Sequence, residues 1–181
     1  LALVSKITGL STRLGHLPLL AVIVAVLLAI YANSSNGVFI FDDRPNIVDN
    51  PWMHLETLDS KSITATFYGM GNQINRPLAY LSFGLNHYFH GLDVFGYHLV
   101  NVIIHILTAL SLYALIVHIL RLPLLGGRFT DRERIIAFVA VLLWATSPIQ
   151  VTAVTYIVQR MTSLAALFFI LAMLCYLLGR T

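Results

Sequence analysis

Stretches without Asp, Glu, Lys or Arg set the organisation of the chain: 14–41, 94–120, 135–159 and 161–179. A helix that crosses the hydrocarbon core of a bilayer needs about 20 mostly apolar residues. The second and fourth stretches meet this outright. The first has its apolar centre in LPLLAVIVAVLLAIYA, residues 17–32, and reaches the length with help from its flanks. The apolar part of the third ends near Trp144, and Pro148 cannot continue a regular helix interior. The pattern predicts four membrane helices, at roughly 16–34, 97–120, 133–147 and 161–179. Lys6 and Arg13 ahead of an apolar run also fit a cleaved signal. The run is long, however, and Tyr31-Ala32-Asn33 is a poor small-residue cleavage site, so a retained helix is expected.

Between the first two spans lies a segment of polar and apolar residues, 33–96. A connection this long carries structure or function of its own. Asn50-Pro51 predicts a helix start, with Asn50 as cap and the helix running through Trp52 to Leu58. A second start is expected at Asp59 or Ser60, before Gly69, Gly71 and Asn72 break the chain. Leu78, Leu81, Leu85 and Tyr88 recur at helical spacing and predict a helix over 77–88, ended by Gly91. Tyr80, Phe83 and Phe89 suit the water–lipid boundary, so this helix is expected to lie along the membrane surface. Residues 148–159 are expected to form an outward-facing turn before the last span. The fold class is therefore an all-α membrane protein: about four transmembrane helices, with short amphipathic interfacial helices in a long outer loop. Residues 1–181 form a single transmembrane domain in this reading, with no internal repeat and no low-complexity tract.

Composition supports this. Hydrophobic residues make up 58% and charged residues 10%, against about 45–50% and about 25% in soluble domains. That excludes a disordered chain, a soluble enzyme domain and a nucleic-acid-binding arm. The net charge of +3 is scattered, with no Lys/Arg stripe for nucleic acid. The positions of the charges say more than their sum. Lys6, Arg13, Arg121, Arg128, Arg132, Arg134 and Arg180 share one side of a four-span chain, while Arg44, Lys61, Arg76 and Arg160 share the other. The N-terminus, the loop 121–133 and the C-terminus are thus expected in the cytoplasm, with 33–96 outside. That outer loop also holds Asp42, Asp43, Asp49, Glu56, Asp59 and Asp93. The single cysteine, Cys175, excludes a disulfide framework within the chain and a cysteine-rich zinc site. The first residue is Leu, and the chain is read as a piece of a longer one.

Several constellations bear chemistry. Asp42-Asp43-Arg44 directly follows the first span. Acids there serve as a general base, as metal ligands or as turn residues, and in an extended chain only one of the two neighbours would face a site. His98, Asn101, His105 and Thr108, at steps of three, four and three, form one polar stripe on the second span. Such a stripe faces a bundle interior or a wet cavity. Arg76 and Arg160 stand at the outer boundary, where each either snorkels to lipid phosphates or binds a substrate phosphate. Haem is not expected: His105 and His118 have no facing histidine on the last two spans. His54-Leu55-Glu56 and His87-x-x-His90 are weak metal patterns. No cofactor is expected, and a divalent metal is compatible with the acidic loop without being indicated. There is no phosphate-binding P-loop, no G-x-S-x-G and no H-E-x-x-H.

Three segments in order carry a resemblance: FDDRPNIVDNP after the first span, NRPLAYLSFGLNHYFHGLDVFGYHLVNVIIHILTAL, and SPIQVTAVTYIVQRMTSLAALFFILAMLCYL. Together they resemble the membrane part of the TPR-containing glycosyltransferases of GT-C type, relatives of the dolichyl-phosphate-mannose protein mannosyltransferases. The Val-Gln-Arg before the last span is more similar to bacterial members, which implies a bacterial inner membrane with 33–96 in the periplasm. The resemblance covers 17–178 and implies a membrane enzyme with its active site at the first outer loop. The implied partners are a polyprenyl-phosphate-linked sugar as donor, a protein Ser or Thr hydroxyl as acceptor, and membrane lipids. By the resemblance Asp42 or Asp43 is the acceptor-activating base. Arg76 or Arg160 steadies the phosphate leaving group, and His98, Asn101 and His105 line or brace the cavity. Full members of the family have more spans and then TPR helices, and no TPR pattern is present in this sequence. A second class fits the same pattern: a non-catalytic multi-span subunit or scaffold of a larger membrane complex. A transporter fits worse, since no charge lies deep in a span and no internal repeat exists.

Overall fold

The computed structural model describes residues 15–69, 71 and 74–180; Lys6, Arg13 and Asn72, used above, lie outside them. Among the described residues seven α-helices follow one another: α1 His16–Tyr31, α2 Ser60–Thr66, α3 Pro77–His90, α4 Val94–Leu120, α5 Glu133–Ala145, α6 Ile149–Thr155 and α7 Arg160–Arg180. Short turns of other helical types join them, and no strand occurs among the described residues. Among the described residues three segments are long and apolar enough to cross a membrane: His16–Ser34, Val94–Leu120 and Ile157–Arg180. The helices α5 and α6 meet at a bend of 70° and make a fourth if they count as one broken span. The break falls at Thr146–Pro148, where a ring without an N–H interrupts the ladder. The chain is a multi-pass, all-helical integral membrane protein.

The described residues group into two compact units. One comprises 15–30, 105–150 and 165–180. Its buried residues run in steps of four: Leu19, Ile23 and Leu27 on α1, Ala109, Tyr113 and Val117 on α4, and Ala137, Val141 and Ala145 on α5. Steps of four keep side chains on one ridge of a helix, the surface that helix packing uses. Its polar ties are few. The Tyr113 hydroxyl lies 2.9 Å from His16 Nδ1, His105 Nε2 donates to the Ala145 carbonyl at 3.0 Å, and Arg121 binds Glu133 at 2.8 Å. The α7 residues Phe168, Phe169, Met173 and Tyr176 stay exposed, as a helix face in lipid would be.

The other unit comprises 31–104 and 151–164. Ile47, Met53, Tyr80, Phe83, Tyr97 and Ile157 form its core, with Phe39, Val94 and Met161 packed against it. The helix predicted over 52–58 shrinks to one 3-10 turn, Pro51–Met53, capped by Asn50 Oδ1 accepting from the Trp52 amide at 3.1 Å. The cause is tertiary. Met53 and Leu55 are both buried, and residues two apart share a side only when the chain is extended. The second predicted start is where α2 begins, with Asp59 accepting from the Lys61 and Ser62 amides at 2.9 and 3.0 Å.

The helix α3 begins at Pro77 and ends two residues beyond the predicted Tyr88, at a Gly91 with φ of +57°. Its buried face is Ala79, Tyr80, Phe83, Gly84 and Asn86. The predicted apolar row lies elsewhere: Leu78 and Tyr88 are exposed. The core of the unit takes the small and aromatic face, and the leucine face is left for another medium. Gly84 allows a close approach, because a Cβ there would lie 2.9 Å from Thr66 Cγ2.

Candidate active site

The acidic pair sits where the chain leaves α1. Phe41 is forced into the left-handed region at φ of +42°, a costly conformation for an aromatic residue that needs surrounding structure to hold it. The turn separates the two carboxylates. Asp43 is fully buried. Its Oδ2 accepts from the Ile40 amide at 3.0 Å, and its Oδ1 accepts from the Val158 amide at 2.7 Å. Burial pushes the Asp43 carboxyl above the usual carboxylate range, the two amides pull it back, and the nearby Asp42 charge pushes it up again. Asp42 is exposed. Its amide donates to the Tyr156 hydroxyl at 2.9 Å, and its carbonyl accepts from Asn46 Nδ2 at 2.8 Å. The Asn46 Oδ1 in turn accepts from the Tyr80 hydroxyl at 3.1 Å. The backbone of Asp42 is therefore fixed by the Tyr156 and Asn46 side chains, the second held in turn by Tyr80, while its carboxylate stays open.

Arg160 is placed quite differently from a lipid-facing arginine. It is fully buried. Its Nε donates to Asn101 Oδ1 at 2.7 Å, Nη1 to the Ser82 carbonyl at 3.1 Å and Oγ at 3.3 Å, and Nη2 to the Tyr97 carbonyl at 2.8 Å. The guanidinium stacks 4.7 Å from the Phe83 ring and 5.7 Å from the Tyr97 ring, a cation–π arrangement in a desolvated site. Asn101 extends the tie, donating from Nδ2 to the Val154 and Ile157 carbonyls at 3.2 and 3.3 Å. This assembly joins α3, α4 and the turn 156–159, the same turn that Asp43 grips.

Arg76 is exposed, at the head of α3, with φ of +48°. Its Nη1 points at Met161 Sδ, 3.0 Å away, and a thioether is a weak acceptor that leaves the guanidinium available. His98 is buried with neither ring nitrogen hydrogen-bonded within the chain. It lies over Gly37, where a Cβ would come within 2.5 Å of Nε2. The polar stripe of the second span is thus buried as a row, but its members differ. Asn101 and His105 donate to backbone carbonyls, and His105 belongs to the other unit.

The structure therefore brings Asp42, Asp43, Arg76, His98, Asn101 and Arg160 into one unit. Composition and spacing alone did not single out Tyr156, Asn46 or Ser82. The aromatic and amide-rich segments around them were the available signal. No group of three or more His, Cys, Asp or Glu residues suited to a metal occurs among the described residues.

Comparison with known proteins gives the family. Human protein O-mannosyl-transferase TMTC2 is 36% identical over 163 residues, covering 83% of this chain. Mouse TMTC1 is 37% identical over 153 residues and human TMTC4 31% over 168, covering 81% and 86%. The chain is a homologue of the TMTC protein O-mannosyl-transferases. It spans only 17%, 15% and 22% of the lengths of those TMTC proteins. No family model and no solved structure matches it. The similarity to the TMTC proteins thus extends through most of the described residues, including the outer loop.

Proposed function

We propose that this chain is the membrane portion of a GT-C-like glycosyltransferase that moves a sugar from a polyprenyl-phosphate donor to an acceptor hydroxyl, with Asp42 as the base. The observation that carries the reading is the division of labour in the acidic pair. Asp43 is buried and anchors the loop, whereas Asp42 presents an unpaired carboxylate on a fixed backbone. Homology to proteins named protein O-mannosyl-transferases supports a mannosyl donor and a protein acceptor.

In this reading Asp42 removes the proton of the acceptor hydroxyl as its oxygen bonds to the anomeric carbon. The bond from that carbon to the lipid phosphate breaks, and the phosphate leaves with the electron pair. The exposed Arg76 guanidinium neutralises the growing negative charge. The earlier assignment of Arg160 to the phosphate is revised: with its donors engaged and no exposure, it positions the 156–159 turn and through it the loop. Asn101 braces the same turn. His98 offers two open ring nitrogens beside it, and His105 braces its own unit. The charge pattern supports 33–96 on the outer side of the membrane, with the 121–133 connection and both termini cytoplasmic; the resemblance at Val158-Gln159-Arg160 to bacterial members supports a bacterial inner membrane, where that side is the periplasm. The exposed aromatic face of α7 supports packing within a larger membrane assembly.

Replacing Asp42 by Asn tests the base. Sugar transfer by the full-length protein should fall about 10²–10⁴-fold, with normal membrane insertion and unchanged thermal unfolding. Full transfer by Asp42→Asn would sink the assignment and shift weight to the scaffold reading.

A further inference from the structure

Apart from the acidic turn, the unit containing 31–104 holds a concave feature. A cavity of about 250 Å³ is lined by Pro51, Trp52, His54, Glu56, Thr57 and Ser62, among others. It is smaller than the about 300–1,000 Å³ of pockets for drug-sized ligands, which suits one monosaccharide ring. Its chemistry is unusually one-sided. Thr57 Oγ1 and Ser62 Oγ both donate to Asp59 Oδ2, so each hydroxyl oxygen has only acceptor capacity left. His54 Nε2 donates to the Val48 carbonyl at 3.0 Å, which leaves Nδ1 as an acceptor. Glu56 is exposed and adds a carboxylate. Trp52, 55% exposed, contributes a flat apolar ring and an indole N–H. No lysine or arginine lines the cavity.

We propose that this cavity binds a hexopyranosyl unit. A pyranose carries several hydroxyl donors that match a wall of acceptors, and an apolar C–H face that stacks on Trp52. A phosphate or carboxylate ligand would meet Glu56 with no cation to offset it. An alkylammonium group prefers an aromatic cage, and Trp52 is the one Trp, Tyr or Phe among the lining residues. The subsite lies outside the Asp42 turn and stands on its own geometry. It would hold a sugar already attached to an acceptor, not the one being transferred at Asp42.

The test uses the full-length protein in lipid nanodiscs and saturation-transfer NMR with a panel of methyl hexopyranosides. Saturable binding with a dissociation constant of about 1 mM is expected, weakened about tenfold or more by Trp52→Ala and measurably by Glu56→Gln. Both residues are exposed, and a Glu56→Gln chain that keeps its thermal unfolding profile guards against a folding artefact in the first variant. An Asp42→Asn protein should keep the signal, so loss of the base assignment and loss of this one are separate results. Absence of saturable binding, full binding by Trp52→Ala, or tighter binding of tetramethylammonium than of any hexopyranoside would each overturn the proposal.

Discussion

The two units bury polar groups to different extents: His105, Thr108 and Glu133 in one, twice as many or more in the other. In the unit containing the 105–150 segment, helices pack on ridges of leucine, isoleucine, valine, tyrosine and alanine, and its principal ion pair, Arg121 with Glu133, keeps the arginine side chain 45% exposed. In the unit containing 31–104, Asp43, Asn50, Asn86, His98, Asn101 and Arg160 are all buried. A helix bundle in lipid needs little more than shape to assemble. An irregular loop held in one conformation needs partners for every backbone group that its turns leave open. The difference teaches where precision has been built in: the two fully buried charges, Asp43 and Arg160, both hold the 156–159 turn that faces the Asp42 loop.

The sharpest way to break that contrast is to remove one arginine from each unit. Arg160→Met leaves Asn101 Oδ1 and the Ser82 and Tyr97 carbonyls without their donors in a buried site. The cost should be about 3–5 kcal/mol, a fall in Tm of about 10 °C or more for a chain of this size. Arg121→Ala should cost less, about 1–2 kcal/mol, because the arginine is half-exposed and Arg134 still stands 3.9 Å from the buried Glu133 carboxylate. Thermal unfolding in detergent compares them directly. Equal Tm values would mean that water satisfies the Arg160 partners and that the contrast is false.

The sequence made one of these units far more legible than the other. Uncharged stretches marked the spans because hydrocarbon excludes charge regardless of tertiary contacts. Asn50 and Asp59 were readable as caps because capping is local. The helix expected after Asn50 was not there, since the burial of Met53 and Leu55 depends on a core assembled from distant segments. Neighbouring acids were expected to point apart, but which one faces outward is decided by the Val158 amide, 115 positions away. Arg160 looked like a boundary cation for the same reason: nothing local announces that Asn101 and the Ser82 and Tyr97 carbonyls converge on it. The two units differ in legibility because one rests on local periodicity and the other on pairings remote in sequence.

A smaller effect tests the packing side of the contrast. Gly84→Ala drives a Cβ to 2.9 Å from Thr66 Cγ2 and 3.7 Å from Leu55 Cβ. Thr66 is fully buried and branched at Cβ, so it gives way poorly. Overpacking of this kind should cost about 1–3 kcal/mol. Gly179→Ala in α7 meets nothing within 4 Å and should be neutral or favourable by up to about 1 kcal/mol through helix propensity. If Gly84→Ala unfolds at the parental temperature, the approach of α3 to α2 is looser than the structure has it.

The smallest effect separates burial from hydrogen bonding within the unit containing 31–104, where two aspartates should respond to acid with opposite sign. Both accept two backbone amides. Asp59 is solvent-exposed, and the Thr57 hydroxyl, the Ser62 amide and the Ser62 hydroxyl hold its carboxyl well below the usual range. Its folded form therefore loses the proton more readily than its unfolded form, and its contribution is present above the ordinary value of 3.8 and fades as pH falls through its lowered one. Asp43 is the reverse. With burial holding its carboxyl above 3.8, the folded state keeps a proton that the unfolded state has released. Its contribution grows as pH falls through the raised value and is complete below 3.8. The measurement is Tm against pH for the parent, Asp43→Asn and Asp59→Asn. On acidification the gap between the parent and Asp59→Asn should narrow, and the gap between the parent and Asp43→Asn should widen. Two gaps that narrow together would mean that the amides of Ile40 and Val158 outweigh burial at Asp43, and that its carboxylate is anchored as an ordinary charged cap.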